Sequence, residues 1–164
     1  MPTSATTTRA ATTRAARDAR PALALDVQYA VEAEGLPVRA TLRRWSAAAL
    51  ERDAAVTIRF VGAREGRALN ARWRGSDHAT NVLTFVYDDV LPLAGDLVLC
   101  VPVLRREARS QGKALRAHCA HLVVHGMLHL QGYDHARDAD AATMEARETA
   151  VLAGLGYPDP YAPS

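Results

Sequence analysis

Between residues 114 and 135 the chain reads ALRAHCAHLVVHGMLHLQGYDH, and no other stretch limits the possible folds as strongly. Up to Gln131 it is the longest apolar helical run in the sequence. His118, His121, His125 and His129 follow steps of 3, 4 and 4, so a helix puts all four on one face. A pair at i and i+4 can grip one ion from a single rigid helix. Two such pairs exist here, 121/125 and 125/129. Gly132 lets the chain leave the helix and turn back, and GYDH then delivers His135 from beyond that turn. The third ligand favours His125, His129 and His135 as one metal site, with His118 and His121 upstream as supporting or core residues. Zinc is the first expectation because imidazole suits it; nickel, copper and iron share the geometry.

The rest of the pattern gives this helix something to pack on. LALDVQYA alternates as a strand, AVTIRFVG is β-branched and alternating, and TNVLTFVYDD and GDLVLCVP read as two more strands. GDLVLCVP is apolar on both faces, which places it centrally in a sheet. Helices are expected at LPVRATLRRWSAAALE, AREGRALNARWR, LRREARSQGK and DADAATMEARETAVLAGLG. The first has Pro37 near its start and Val38, Leu42, Trp45 and Leu50 on one face. The last is capped by Asp138 or Asp140, with Gly154 near its end. Strands alternate with helices early and helices dominate late. The expected fold is a layered α+β domain, a small mixed sheet of about four strands packed against helices, with the histidine helix central. One domain over residues 23–164 follows. Residues 1–22, MPTSATTTRAATTRAARDARPA, have no apolar period and read as a disordered basic leader, with an organellar transit peptide as the lesser reading.

Several classes of protein are excluded. No run is long enough and apolar enough to span a membrane. Cys100 and Cys119 are the only cysteines, too few for a disulfide framework. With no secretory signal, a reducing, cytoplasmic setting is expected, and both cysteines read as buried small hydrophobes. Net charge is +2, unevenly spread. From Arg39 to Arg116 there are 14 basic and 8 acidic residues, and from Asp134 onward 2 basic and 6 acidic. A basic middle is the electrostatic footprint of nucleic-acid contact, and equally of oppositely charged solvated helix faces.

The histidine spacing is that of the zinc-protease pattern H-E-x-x-H-x-x-G-x-x-H, with Gly132 in register, but the position of its glutamate is Gly126. Three protein ligands leave a fourth position open, the mark of a catalytic zinc site, and three neutral imidazoles leave the full charge on the ion. That lowers the pKa of a bound water toward about 7 without help from a carboxylate. A protease needs the glutamate to move a proton to the leaving amine, so peptide hydrolysis is disfavoured. A phosphodiester instead gathers negative charge on its nonbridging oxygens and calls for a second cation. Arg72 and Arg74, in LNARWRGSDHATNVLTF, are of the type suited to bidentate phosphate contact.

Taken together, LNARWRGSDHATNVLTF, GDLVLC and HLVVHGMLHLQGYDH, in that order, resemble the YbeY-type rRNA maturation factors, bacterial and organellar metal-dependent endoribonucleases. The resemblance spans about residues 23 to 160, and GYPDPY near the end fits it. Trp73 stands where the family more often has tyrosine, and His78-Ala79 where a proline often precedes the threonine. The resemblance implies that His125, His129 and His135 bind one zinc ion and that Arg74 is catalytic. It implies that Asp96, in GDLVLC, contacts a partner. It implies action on single-stranded RNA at the 3′ end of small-subunit rRNA and in ribosome quality control. Implied partners are the small ribosomal subunit, one of its proteins and the GTPase Era. The competing reading is a non-catalytic ribosome assembly factor with a structural zinc site, which a fourth protein ligand would mark; Asp134 is adjacent.

Overall fold

A computed structural model of the chain describes residues 20–74, 81–88 and 92–163, without the side chains of Arg74 and Asp88. The expected leader lies outside the described residues as far as residue 19. At its end, Ala22 donates its backbone N–H to Asp53 Oδ1 at 2.7 Å.

Four strands form one sheet in the order β1 (Leu23–Tyr29), β2 (Ala54–Val61), β4 (Leu93–Cys100), β3 (Val82–Asp88). The first three are parallel, and β3 runs antiparallel to β4 at the edge. The helices are α1 (Arg39–Ala48), α2 (Ala63–Arg74), α3 (Val101–Ser110), α4 (Leu115–Leu130) and α5 (Asp138–Gly154). This is the expected α+β mixture, with the histidine helix α4 in the middle of the packing. The period of 2 in β2 sends Ala54, Val56, Ile58 and Phe60 to one buried face, where they meet Leu42 and Trp45 of α1 and Val123, Val124, Met127 and Leu128 of α4. A second, smaller cluster, Val61, Leu83, Val98, Cys100 and Val103 with Leu69 against it, lies apart from this core. Both cysteines are free and buried, and burial pushes the Cys119 thiol up to about 12.

β4 lies inside the sheet, as its apolar pattern requires. It begins at Leu93, and Val101-Pro102 opens α3, where proline's missing N–H costs nothing in the first turn. Two helices differ from expectation at their ends. α1 begins only at Arg39, so Val38 falls outside the helical period and is 63% exposed; Leu50, though buried, comes after the helix ends. In α5 the capping position is Arg137, with no side-chain cap bond. Asp138 and Asp140 sit in the first turn instead, where their charge complements the helix dipole. Gly156 rather than Gly154 takes the left-handed position after that helix, at φ 91°.

Candidate metal centre and the groove behind the sheet

α4 is packed on almost every side. From His118 to Leu130 only His121, His125 and His129 escape full burial, so beyond its first turn the helix is open only along this i, i+4, i+8 stripe. The helix ends with Gly132 at φ 102°, the Gly132 N–H donating to His129 O and the Tyr133 N–H to Leu128 O. This pair of bonds is the Schellman arrangement, which needs a residue without a Cβ at that point. The turn is held from outside by Gln131, which is buried. Its amide donates to Ala49 O and Met127 O, and its oxygen accepts the Glu51 N–H at 2.7 Å. Asp134 Oδ1 accepts the backbone N–H groups of His135 and Ala136. These bonds bring His135 back over the helix.

The rings of His125, His129 and His135 are neighbours. His135 is 5.7 Å from His125 and 5.8 Å from His129 by ring centroids, and the latter two stack at 6.4 Å. The nitrogen each ring presents follows from its partner. His125 Nδ1 lies 2.5 Å from Glu148 Oε1, and a carboxylate only accepts, so Nδ1 carries the proton. His129 Nδ1 lies 2.9 Å from the Tyr133 carbonyl, with the same consequence. In the neutral ring each then presents its lone pair at Nε2, the nitrogen left to face a metal ion.

Among the described residues, ligand-type atoms within 4.8 Å of one another form two groups, His121–His125–Glu148 and His129–Asp134–His135, which divide the three expected ligands, His125 in the first and His129 with His135 in the second. In the first group the atoms already bind each other. Glu148, fully buried on α5, accepts from His121 Nε2 at 3.0 Å, from His125 and from the Tyr161 hydroxyl. Burial alone would raise the Glu148 pKa, but these three hydrogen bonds win and hold it at about 2. His118 is also buried, 3.3 Å from Glu107 Oε1, and burial lowers its pKa against the opposing pull of that carboxylate. Glu148 is the residue that reading the sequence missed.

The absent protease glutamate has a packing cause. A Cβ on Gly126 would stand 2.8 Å from Leu97 Cδ2, and Leu97 is fully buried. This position of α4 presses on β4, so any side chain here requires the buried Leu97 side chain to give way. Gly95 is tighter still, with a Cβ meeting the Phe85 carbonyl oxygen at 2.4 Å and Leu130 Cδ1 at 2.2 Å.

Gly95 and Leu97 face α4, so alternation sends Asp96 to the other face of the sheet. There it accepts a hydrogen bond from the Tyr87 hydroxyl and lines an open groove of about 730 Å³ with Trp73, Phe85 and the ion-paired Arg59 and Glu65. Asp96 is thus separated from the histidines by the sheet itself. Arg74 is the last residue of α2; its side chain, with Gly75, Asp77 and His78, lies outside the described residues. The Arg72 guanidinium sits 5.2 Å from the Trp73 ring centroid.

A family model described as Endoribonuclease YbeY matches residues 31–156. The chain belongs to the endoribonuclease YbeY family. It is 62% identical over 143 residues to the Endoribonuclease YbeY of Aromatoleum aromaticum, covering 85% of this chain and 93% of that protein. It is 57% identical over 139 residues to that of Nitrosomonas europaea, covering 85% of each. The solution structure of a Thermotoga maritima protein shares the fold at a TM-score of 0.53 and 22% identity, over 85% of this chain and 99% of that one. Among the described residues, no helix is long and apolar enough to cross a membrane.

Proposed function

We propose that this member of the YbeY family is a single-strand-preferring, metal-dependent endoribonuclease that matures the 3′ end of small-subunit rRNA and acts in ribosome quality control in the cytoplasm. Its reaction is that of a hydrolase on RNA phosphodiester bonds. The observation supporting it most is the meeting of His125, His129 and His135, two of them with Nδ1 engaged and Nε2 free. This donor set fits one zinc ion through three imidazoles. A divalent ion bound there supplies a Lewis acid and lowers the pKa of a water toward about 7.

The chain's own residues have separate tasks. Glu148 and the Tyr133 carbonyl orient His125 and His129. Arg74 opposes the charge that develops on the phosphate, as only a permanent cation with a planar fork does well. Gly126 offers no general acid for a leaving amine, which argues against peptide hydrolysis. Residues 23–164 work as one catalytic unit, with the four arginines of the leader, residues 1–22, adding affinity for phosphate. Asp96, on the far face of the sheet, is the contact for a protein partner, for which a small-subunit ribosomal protein and the GTPase Era are the candidates.

One observation favours the alternative of an assembly factor with a structural zinc: Asp134 has a carboxylate oxygen within 4.8 Å of both His129 and His135 and would close the fourth position. Against it, Asp134 Oδ1 already accepts the backbone N–H groups of residues 135 and 136. The test is metal content together with cleavage of single-stranded and double-stranded RNA of one sequence. Selective cutting of the single strand supports the ribonuclease; a metal-replete protein that cuts neither supports the assembly factor.

A further inference from the structure

Glu148 is fully buried, and among the described residues its hydrogen-bond partners are His121, His125 and Tyr161, with no lysine or arginine. A carboxylate removed from water is costly unless it is well hydrogen-bonded. Here the bonds come from two members of the histidine stripe and from one tyrosine. Oε1 takes the His125 Nδ1–H, and Oε2 takes the His121 Nε2–H and the Tyr161 hydroxyl. The bond to His125 dictates which nitrogen of that ring is free, and the buried site of Glu148 on α5 fixes the direction in which it points.

The tyrosine belongs to the tail that follows α5, and the tail is built to deliver it. The Tyr157 N–H closes the helix on Leu152 O. Lys113 Nζ donates to the Pro160 carbonyl at 3.0 Å. Asp159 Oδ1 accepts both the Tyr161 N–H at 2.8 Å and the Thr149 hydroxyl at 3.3 Å. The Tyr161 ring then stands edge-on to His121, centroids 5.4 Å apart. Its hydroxyl can only donate to the carboxylate, which leaves Glu148 acting purely as an acceptor toward the histidines.

We propose that Glu148 is the positioning residue of the metal centre, holding His125 as the Nδ1–H tautomer with Nε2 toward the ion, and that Tyr161 in the tail holds Glu148 in turn. This rests on the ligand set proposed above. Outer partners of ligating histidines of this kind set metal affinity, typically by 10–100-fold. The C-terminal tail thereby becomes part of the metal centre, although it supplies no ligand.

The test is a zinc competition titration on the full chain, with ¹⁵N-histidine spectra of the same samples. Glu148→Gln keeps the shape and one acceptor but loses the charge; it should bind zinc roughly 10–100-fold more weakly and lose the protected His125 Nδ1–H resonance. Tyr161→Phe removes one hydrogen bond at a partly exposed residue and should weaken binding roughly 2–10-fold. Wild-type zinc affinity in Glu148→Gln overturns the proposal. If that variant does not fold, Tyr161→Phe decides, and an unchanged affinity there overturns it. His125→Ala is the control for the ligand set. If His125→Ala keeps its zinc, the ligand assignment itself is wrong. If it loses zinc while Glu148→Gln does not, only the positioning role is wrong.

Discussion

Replacing Gly126 tests why this histidine helix lacks the glutamate of a protease. Gly126→Ala removes a helix-interior glycine, a gain of about 1 kcal/mol in helix propensity. Against this, the new Cβ would lie 2.8 Å from Leu97 Cδ2 and 3.1 Å from Cδ1. Overpacking of this kind costs roughly 1–3 kcal/mol. Leu97 is fully buried between the helix and its neighbours on β2 and β3, so it has little room to yield. The net expectation for alanine is a loss between about 0 and 2 kcal/mol. Gly126→Glu has the same clash and adds a carboxylate in the apolar core without a partner, a further ~3–5 kcal/mol. Urea unfolding of the metal-free protein measures both, with midpoints compared at one slope. A Gly126→Glu protein as stable as wild type would refute the packing explanation. Peptide hydrolysis by that variant would further show that only the missing side chain separates this centre from a protease.

Other consequences can be measured directly. Gly132→Ala places a Cβ at φ 102°, which should cost about 1–2 kcal/mol in urea unfolding and weaken zinc binding by displacing His135; unchanged stability would show that the turn is not as drawn. Burial lowers the pKa of His118 from its ordinary 6.5, so the unfolded chain takes up this proton first. Stability from this residue is therefore full above 6.5 and lost as pH falls through the lowered folded value. Unfolding midpoints of the metal-free protein at pH 7.5 and about 5.5 should differ less in His118→Gln than in wild type, and equal differences would contradict this. Arg74→Ala should lose about 2.7–4 kcal/mol of barrier lowering, read as kcat on a single-stranded RNA, with zinc content unchanged; full activity would move the role to Arg72.

Local patterns carried most of the fold. The β-branched alternation of AVTIRFVG and the apolar run of residues 119–130, interrupted only by a histidine every fourth residue, each favour one burial pattern, and β2 and α4 adopt it. The ends were less legible. Pro37 and Val38 look like a helix start, but the helix begins at Arg39, since nothing in the pattern reveals where the preceding turn releases the chain. The return of His135 to the neighbourhood of His125 and His129 was legible because the spacing and Gly132 together imply a turn of the chain. Glu148 was not, because a glutamate on an amphipathic helix ordinarily faces water. A signal was nevertheless present. Met144, Glu148, Val151 and Leu152 follow the i, i+4, i+7, i+8 period of a buried face, so the carboxylate stood among core positions. The cause of glycine at 126 could not be read from the sequence, because it lies in a contact with Leu97, a distant residue on β4.

The most direct test of the central claim is zinc content per chain in four purified proteins: wild type, His121→Ala, His129→Ala and His135→Ala. Zinc should be close to one per chain in wild type, retained with weaker affinity in His121→Ala, and lost in His129→Ala and His135→Ala. Zinc that survives loss of His129 but not of His121 would place the ion between His121, His125 and Glu148 and contradict the account.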